Sequence, residues 1–179
     1  KSQITDNDVL TVTGTSSLTT PQADMDITLD QVSLFTGAVS LATNGMDGDI
    51  SITNVGQALD LGTVTTTAGG DLVVEADVGD ITDSGVITAT GTSSFTTTQA
   101  DANITLDQVS LFTGAVSLAT KGVNGDISIT NVGKALNLGT VTTTAGGDLV
   151  VEAVAGDITD SGVIKATGTS SFTTTQADA

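Results

Sequence analysis

The chain has no cysteine, histidine, arginine, tryptophan or tyrosine, and a single proline among its 179 residues. Without cysteine there is no disulfide framework and no thiolate metal site. Without histidine, arginine and the larger aromatics, the groups that enzymes use to move protons at neutral pH or to grip sugars are missing. Basic residues are almost absent too: four lysines stand against 21 aspartates and glutamates, a net charge of −17. That balance excludes nucleic acid and anionic membrane as partners and favours solubility and attraction of cations. No apolar run approaches the length of a membrane span, and the segment from Lys1 has neither initiator methionine nor signal-peptide pattern. With aromatics at 2% of the chain, a core has to be built from valine, isoleucine, leucine and alanine.

What the chain has in abundance is itself. An "ITD" triplet opens at Ile4, Ile81 and Ile158, and 81 − 4 = 158 − 81 = 77. The repeats are 4–80, 81–157 and a partial 158–179; fifteen of 77 positions differ between the first two, and 158–179 departs from 81–102 only in Lys165 for Thr88. A strict period of this length marks an array, so 1–179 reads as one continuous solenoid segment rather than a set of separate domains. Because the chain stops part-way through a third copy, it reads as a window on a longer protein.

Within a period, apolar and polar residues alternate in short runs: "ANITLD" at 102–107, "VSL" at 109–111, "AVSLAT" at 115–120, "DISITN" at 126–131, "ALNLG" at 135–139 and "DLVVEA" at 148–153. Period-two alternation rich in Thr, Val, Ile and Ser, punctuated by Gly, Asn and Asp, predicts strands with one buried face and almost no helix. Copy-to-copy differences point the side chains. A lysine is not tolerated unpaired in an apolar core, so Lys165 in place of Thr88 turns that position outward and Ile87 and Ala89 inward. Asp60 against Asn137 and Gln57 against Lys134 mark solvent positions, with one of each leucine pair, Leu59/Leu61 or Leu136/Leu138, turned by a bend. Phe95 and Phe172, with Leu18 in the first copy, are assigned to the interior, and Pro21, where the second copy has Thr98, to a place that needs no ladder hydrogen bond. With about three strands to a turn, one period makes about three coils of a parallel β-helix; four coils of about nineteen residues is the alternative division.

The run "NITLDQVSLFTGAVSLAT" followed by "DISITNVGKALNLGTVTTTAGGDLVVEAVAGDITDSGVI" resembles the repeats of the very large filamentous-haemagglutinin-like exoproteins of bacteria. The resemblance covers nearly the whole chain. It implies a right-handed parallel β-helix, secreted to the extracellular space or cell surface. It also implies a role as structural shaft of an adhesin or extracellular filament in cell-surface and cell-cell adhesion, aggregation and biofilm. Partners would be other copies, a longer parent chain, and cell-surface or matrix components.

Candidate sites are few. Asp49, Asp71, Asp80, Asp126, Asp148 and Asp157 each follow glycine at a turn that enters a strand. Turn carboxylates can hold Ca²⁺, or they can accept backbone N–H bonds as ordinary turn chemistry. The calcium-binding G-G-x-G-x-D pattern is not met by "AGGDLVVEA", so weak, diffuse cation binding is expected and no cofactor. The tract "VTTTAGG" at 64–70 and 141–147 raises the thought of a flat threonine array that binds ice, but neighbouring coils carry Ser, Asn and Lys instead. Asn103 opens a glycosylation sequon whose first-copy counterpart is Asp26. Polysaccharide-modifying enzymes on a parallel β-helix are the rival reading; Lys121 and Lys134 are replaced by Asn44 and Gln57, and Glu75 and Glu152 are the only glutamates, so no catalytic centre is expected.

Overall fold

A computed structural model describes residues 3–176, and no helix occurs among them. The strands in chain order are β1 (Ile4–Thr5), β2 (Thr11–Val12), β3 (Ser16–Thr19), β4 (Ile27–Phe35), β5 (Val39–Ala42), β6 (Ile50–Asn54), β7 (Leu59–Thr65), β8 (Leu72–Ala76), β9 (Ile81–Asp83) and β10 (Ile87–Ala89). They continue with β11 (Ser93–Thr97), β12 (Ile104–Phe112), β13 (Val116–Thr120), β14 (Ile127–Asn131), β15 (Leu136–Thr142), β16 (Leu149–Ala153), β17 (Ile158–Asp160), β18 (Ile164–Lys165) and β19 (Ser170–Thr174). Every pairing is parallel, and the strands fall into two sheets. One runs β1-β4-β6-β8-β11-β13-β15-β17, the other β19-β16-β14-β12-β10-β7-β5-β3, so the chain winds from one wall to the other as a parallel β-solenoid.

The register fixes the coil. On the first wall Ile27 lies beside Ile50, Ile50 beside Leu72, Leu72 beside Ser93 and Ser93 beside Val116. Each coil therefore has two faces of about eleven residues each, with three strands in the coils that open at Ile4 (β1, β2, β3) and Ile81 (β9, β10, β11) and two in the coil that opens at Ile27 (β4, β5). Three coils carry Ile27 to Ser93, and its repeat counterpart Ile104 lies eleven residues further, half a coil on and in the other sheet. A repeat is thus three and a half coils, midway between the two divisions the sequence suggested. The last residues of the partial repeat, 177–179, lie outside the described ones, as does Lys1.

Alternation builds the interior as expected. In β14 the pattern runs buried, half-buried, buried, half-buried, buried, with Ile127, Ile129 and Asn131 inside. Ile87 and Ala89 are buried on either side of outward Thr88, and Lys165 is exposed. Each fully buried Ile, Leu or Val contributes roughly 1.5–3 kcal/mol, and buried apolar side chains recur in every coil, so they form one apolar column along the shaft. Phe95 and Phe112 meet across it edge to face, with ring centroids 5.9 Å apart and planes at 88°. Phe172 faces the same column but is half exposed, because no described coil lies beyond it.

One expectation needs correcting. Leu59 and Leu61, and likewise Leu136 and Leu138, are both fully buried; no bend turns one outward. The alternation slips after the pair instead, where a bulge at Gly62 sets Val39 beside Leu61 but Leu41 beside Val64. A Cβ on Gly62 would meet Ser40 Oγ at 2.5 Å, the atom that accepts the Thr63 N–H. The counterparts of Pro21 donate to the preceding coil, Thr98 N–H to Ala76 at 3.2 Å and Thr175 N–H to Ala153 at 3.1 Å, and among the described residues no coil precedes Pro21 to offer that carbonyl.

Buried polar residues close the corners. Thr43, Thr97, Thr120 and Thr143 point inward at the end of a strand, and each hydroxyl donates across the turn to a carbonyl four or five residues on. Asn54 and Asn131 do the same work at another corner: the amide oxygen accepts the N–H of Phe35 or Phe112 at 2.8 Å, and Nδ2 donates to carbonyls of the turn that follows. Both ends of the amide are used, which is what burying it requires.

Candidate functional site

The turn aspartates form a column. Asp26 Oδ1 accepts the N–H of Asp49 in the next coil at 3.0 Å, Asp49 Oδ1 that of Asp71 at 2.8 Å, and Asp71 Oδ1 that of Thr92 at 2.7 Å. On the other wall the chain of donors is the same: Asp80 accepts from Asn103, Asn103 from Asp126, Asp126 from Asp148, and Asp148 from Thr169, at 2.7–2.8 Å. Five of the six sequence candidates thus sit where a corner must be tied to the next coil, each with an oxygen committed to a backbone donor. Asp157 follows Gly156 at an equivalent turn and is exposed; its backbone carbonyl accepts the Leu136 N–H at 2.9 Å. Asn103 replaces a carboxylate in this ladder without loss, because an amide oxygen accepts as well.

Beside the first column runs a surface groove of about 300 Å³, bounded by Asp26, Asp49 and Asp71 and floored by Thr28, Ser51 and Val73. It is open and shallow. Among the described residues no three acidic side chains converge as a set of metal ligands. The column stacks carboxylates at about the 4.8 Å inter-strand spacing, which concentrates negative potential along that edge.

Sequence reasoning passed over a second acidic position, the aspartate of "ITD" itself. Asp83 is buried, and its carboxylate receives the Asp107 N–H at 2.9 Å, the Gln108 N–H at 3.4 Å and the Ser110 hydroxyl at 3.3 Å. Ser110 Oγ in turn accepts the Ile87 N–H at 3.0 Å. Asp6 holds Asp30, Gln31 and Ser33 in the same way. Burial raises the Asp83 pKa above the ordinary aspartate value, while the two backbone donors and the serine hydroxyl favour the charged form and the Asp107 charge opposes it. The effect is to pin a bulge: pairing between β12 and β14 runs to Leu106, resumes at Ser110, and leaves Asp107, Gln108 and Val109 exposed. The signal was in the letters, an aspartate kept at positions 6, 83 and 160 while the two residues after it change from Asn7-Asp8 to Ser84-Gly85.

The remaining candidates disperse. The threonine tract is no flat array, because Thr66 and Thr143 face the interior while Thr65 and Thr142 are half exposed. Glu75 and Glu152 lie on outward strand positions of opposite walls, paired with Thr96 and Thr173. Lys121 and Lys134 are exposed at corners.

A model of a protein family described as repeats of unknown function (DUF5649) matches residues 1–42, 47–119 and 124–178, nearly the whole chain, and the chain belongs to that family. The second and third matched units begin at 47 and 124, and this spacing is in step with the internal period. No curated protein and no solved structure matches the chain.

Proposed function

We propose that this chain is a length of shaft from a secreted bacterial adhesin or extracellular filament, without a catalytic centre of its own. The observation that carries the reading is the continuity of both sheets across every repeat boundary, so that each added repeat lengthens the body and leaves its cross-section unchanged. A stack of this kind is stabilised by nearest neighbours and grows without limit. Its acidic surface keeps it soluble and away from anionic membranes. Its partners in this reading are further copies of the repeat, the longer chain that carries them, and cell-surface or matrix components. Aggregation and biofilm follow as the setting.

The test is to delete two whole repeats, seven coils, from an exoprotein that carries them, which leaves every remaining strand on its own face. A shaft shortened in this way keeps the adhesion of the cells that display it, and its reach falls by about 34 Å at 4.8 Å per coil. Loss of adhesion in a protein still exported and folded would place binding in the repeats and overturn the shaft reading.

A further inference from the structure

The bulge pinned by Asp83 presents more than a kink. Val109 stands at its crest. Val86 lies directly beneath it in the preceding coil, since β9 and β10 both pair with β12 at one offset, Ile81 beside Ile104 and Thr88 beside Leu111. Val9 and Val32 form the same pair in the first copy. All four are between 43% and 66% exposed, in a chain whose other outward positions are mostly Thr, Ser and Asp. Each pair is rimmed by an exposed carboxylate, Asp107 in one case and Asp30 in the other. A carboxylate pins each crest, buried Asp83 under Val109 and half-buried Asp6 under Val32, and burying a charge in this way spends stability on presentation.

We infer that these two valine ridges are docking surfaces for a cationic, apolar polypeptide segment, one that sets Leu, Ile or Val against the valine pair and Lys or Arg against the flanking aspartate. The charge balance selects the occupant. A second copy of this chain would bring Asp107 against Asp107 or Asp30 between bodies of charge −17, whereas a basic segment meets complementary charge at the rim. Because a repeat holds an odd number of half-coils, the two ridges face opposite sides of the shaft at an axial separation of about 17 Å. A partner therefore docks along both sides, and one shaft bridges two partners. The inference stands apart from the shaft reading: a passive shaft remains a shaft if it fails.

The experiment uses two synthetic peptides of equal charge, one alternating Leu and Lys, the other alternating Ser and Lys, with affinity measured by fluorescence anisotropy at physiological salt. The wild-type chain binds the Leu/Lys peptide more tightly than the Ser/Lys peptide. The quadruple variant Val9→Ser, Val32→Ser, Val86→Ser, Val109→Ser, on exposed positions, loses about tenfold for the Leu/Lys peptide, the worth of a few buried methyl groups per ridge. It leaves the Ser/Lys peptide unchanged. The double variant Val123→Ser, Val154→Ser removes valines that are 51% and 41% exposed elsewhere on the shaft, and binds both peptides as wild type does. An equal loss in that control, or no loss in the quadruple variant, overturns the proposal. So does a wild-type dimer in sedimentation velocity that the quadruple variant abolishes, since the occupant is then a second copy.

Discussion

Ile27 and Ile104 hold the same place in the repeat, yet Ile27 pairs with Ile50 in one sheet and Ile104 pairs with Ile127 in the opposite one. The cause is arithmetic: a repeat divides into seven half-coils, and seven is odd. Each repeat is therefore carried onto the next by a half-turn as well as a rise. Nothing in the local sequence distinguishes the two walls, because the same phrase builds either. Any feature of the repeat appears on both sides of the rod, and returns to the same side only after seven coils.

One core residue works against the fold. Ser93 Oγ is buried with no hydrogen-bond partner, as is its repeat counterpart Ser16 Oγ, at a position where the neighbouring coils place Leu72 and Val116. An orphaned hydroxyl costs about 1–3 kcal/mol. Ser93→Ala is expected to stabilise the protein by about 1 kcal/mol in urea unfolding, and a loss of stability would mean that the hydroxyl is bonded after all.

Asp83 gives the shaft a pH dependence of definite sign. Its pKa is raised on folding, so above the ordinary aspartate range the folded state binds more protons than the unfolded state. Its contribution to stability is fully present at low pH and is lost as pH rises from that range through the raised folded pKa. Self-repulsion of the acidic rod adds a fall of the same sign, so the difference between proteins is the diagnostic. Asp83→Asn should flatten the fall in unfolding free energy relative to wild type across that window; parallel curves would contradict the assignment.

The corner columns separate the acceptor from the charge. Asn103 already serves in the ladder, so Asp71→Asn should change stability by less than about 0.5 kcal/mol, whereas Asp71→Ala strands the Thr92 N–H and should lose about 0.5–1 kcal/mol. Equal losses in the two variants, measured by thermal unfolding, would show that charge and not the hydrogen bond sets the value of the position.

Salt acts on the same aspartates. Raising ionic strength should stabilise the rod modestly, and to the same extent with NaCl and CaCl₂ at matched ionic strength, because screening of like charges is not ion-specific. A large, saturable effect of Ca²⁺ alone would instead assign the columns of Asp49, Asp71, Asp126 and Asp148 as calcium sites.

The sequence made the solenoid and its inward faces legible because each is a local signal. Period-two alternation places Ile87, Phe95 and Ile127 inside without reference to anything distant, and the substitution of Lys165 for Thr88 confirms a direction. Coil length was not legible, since it depends on which residues of successive coils lie side by side, as Asp26 and Asp49 or Asp71 and Thr92 do. The run "ALNLG" at 135–139 is only the first part of one bulged strand, Leu136–Thr142, which continues into the threonine tract. Asp83 was missed for a related reason. A buried carboxylate looks like a surface one until its donors on Asp107, Gln108 and Ser110, a whole coil away along the chain, are brought beside it.

The half-turn per repeat is the centre of this account, and the length of the rod measures it. Proteins of two, four and eight repeats, examined by solution scattering or electron microscopy, should lengthen by about 17 Å for each repeat, three and a half coils at about 4.8 Å. Growth of about 14 Å or about 19 Å per repeat, the rise of three or four whole coils, would return equivalent residues to one wall and contradict it.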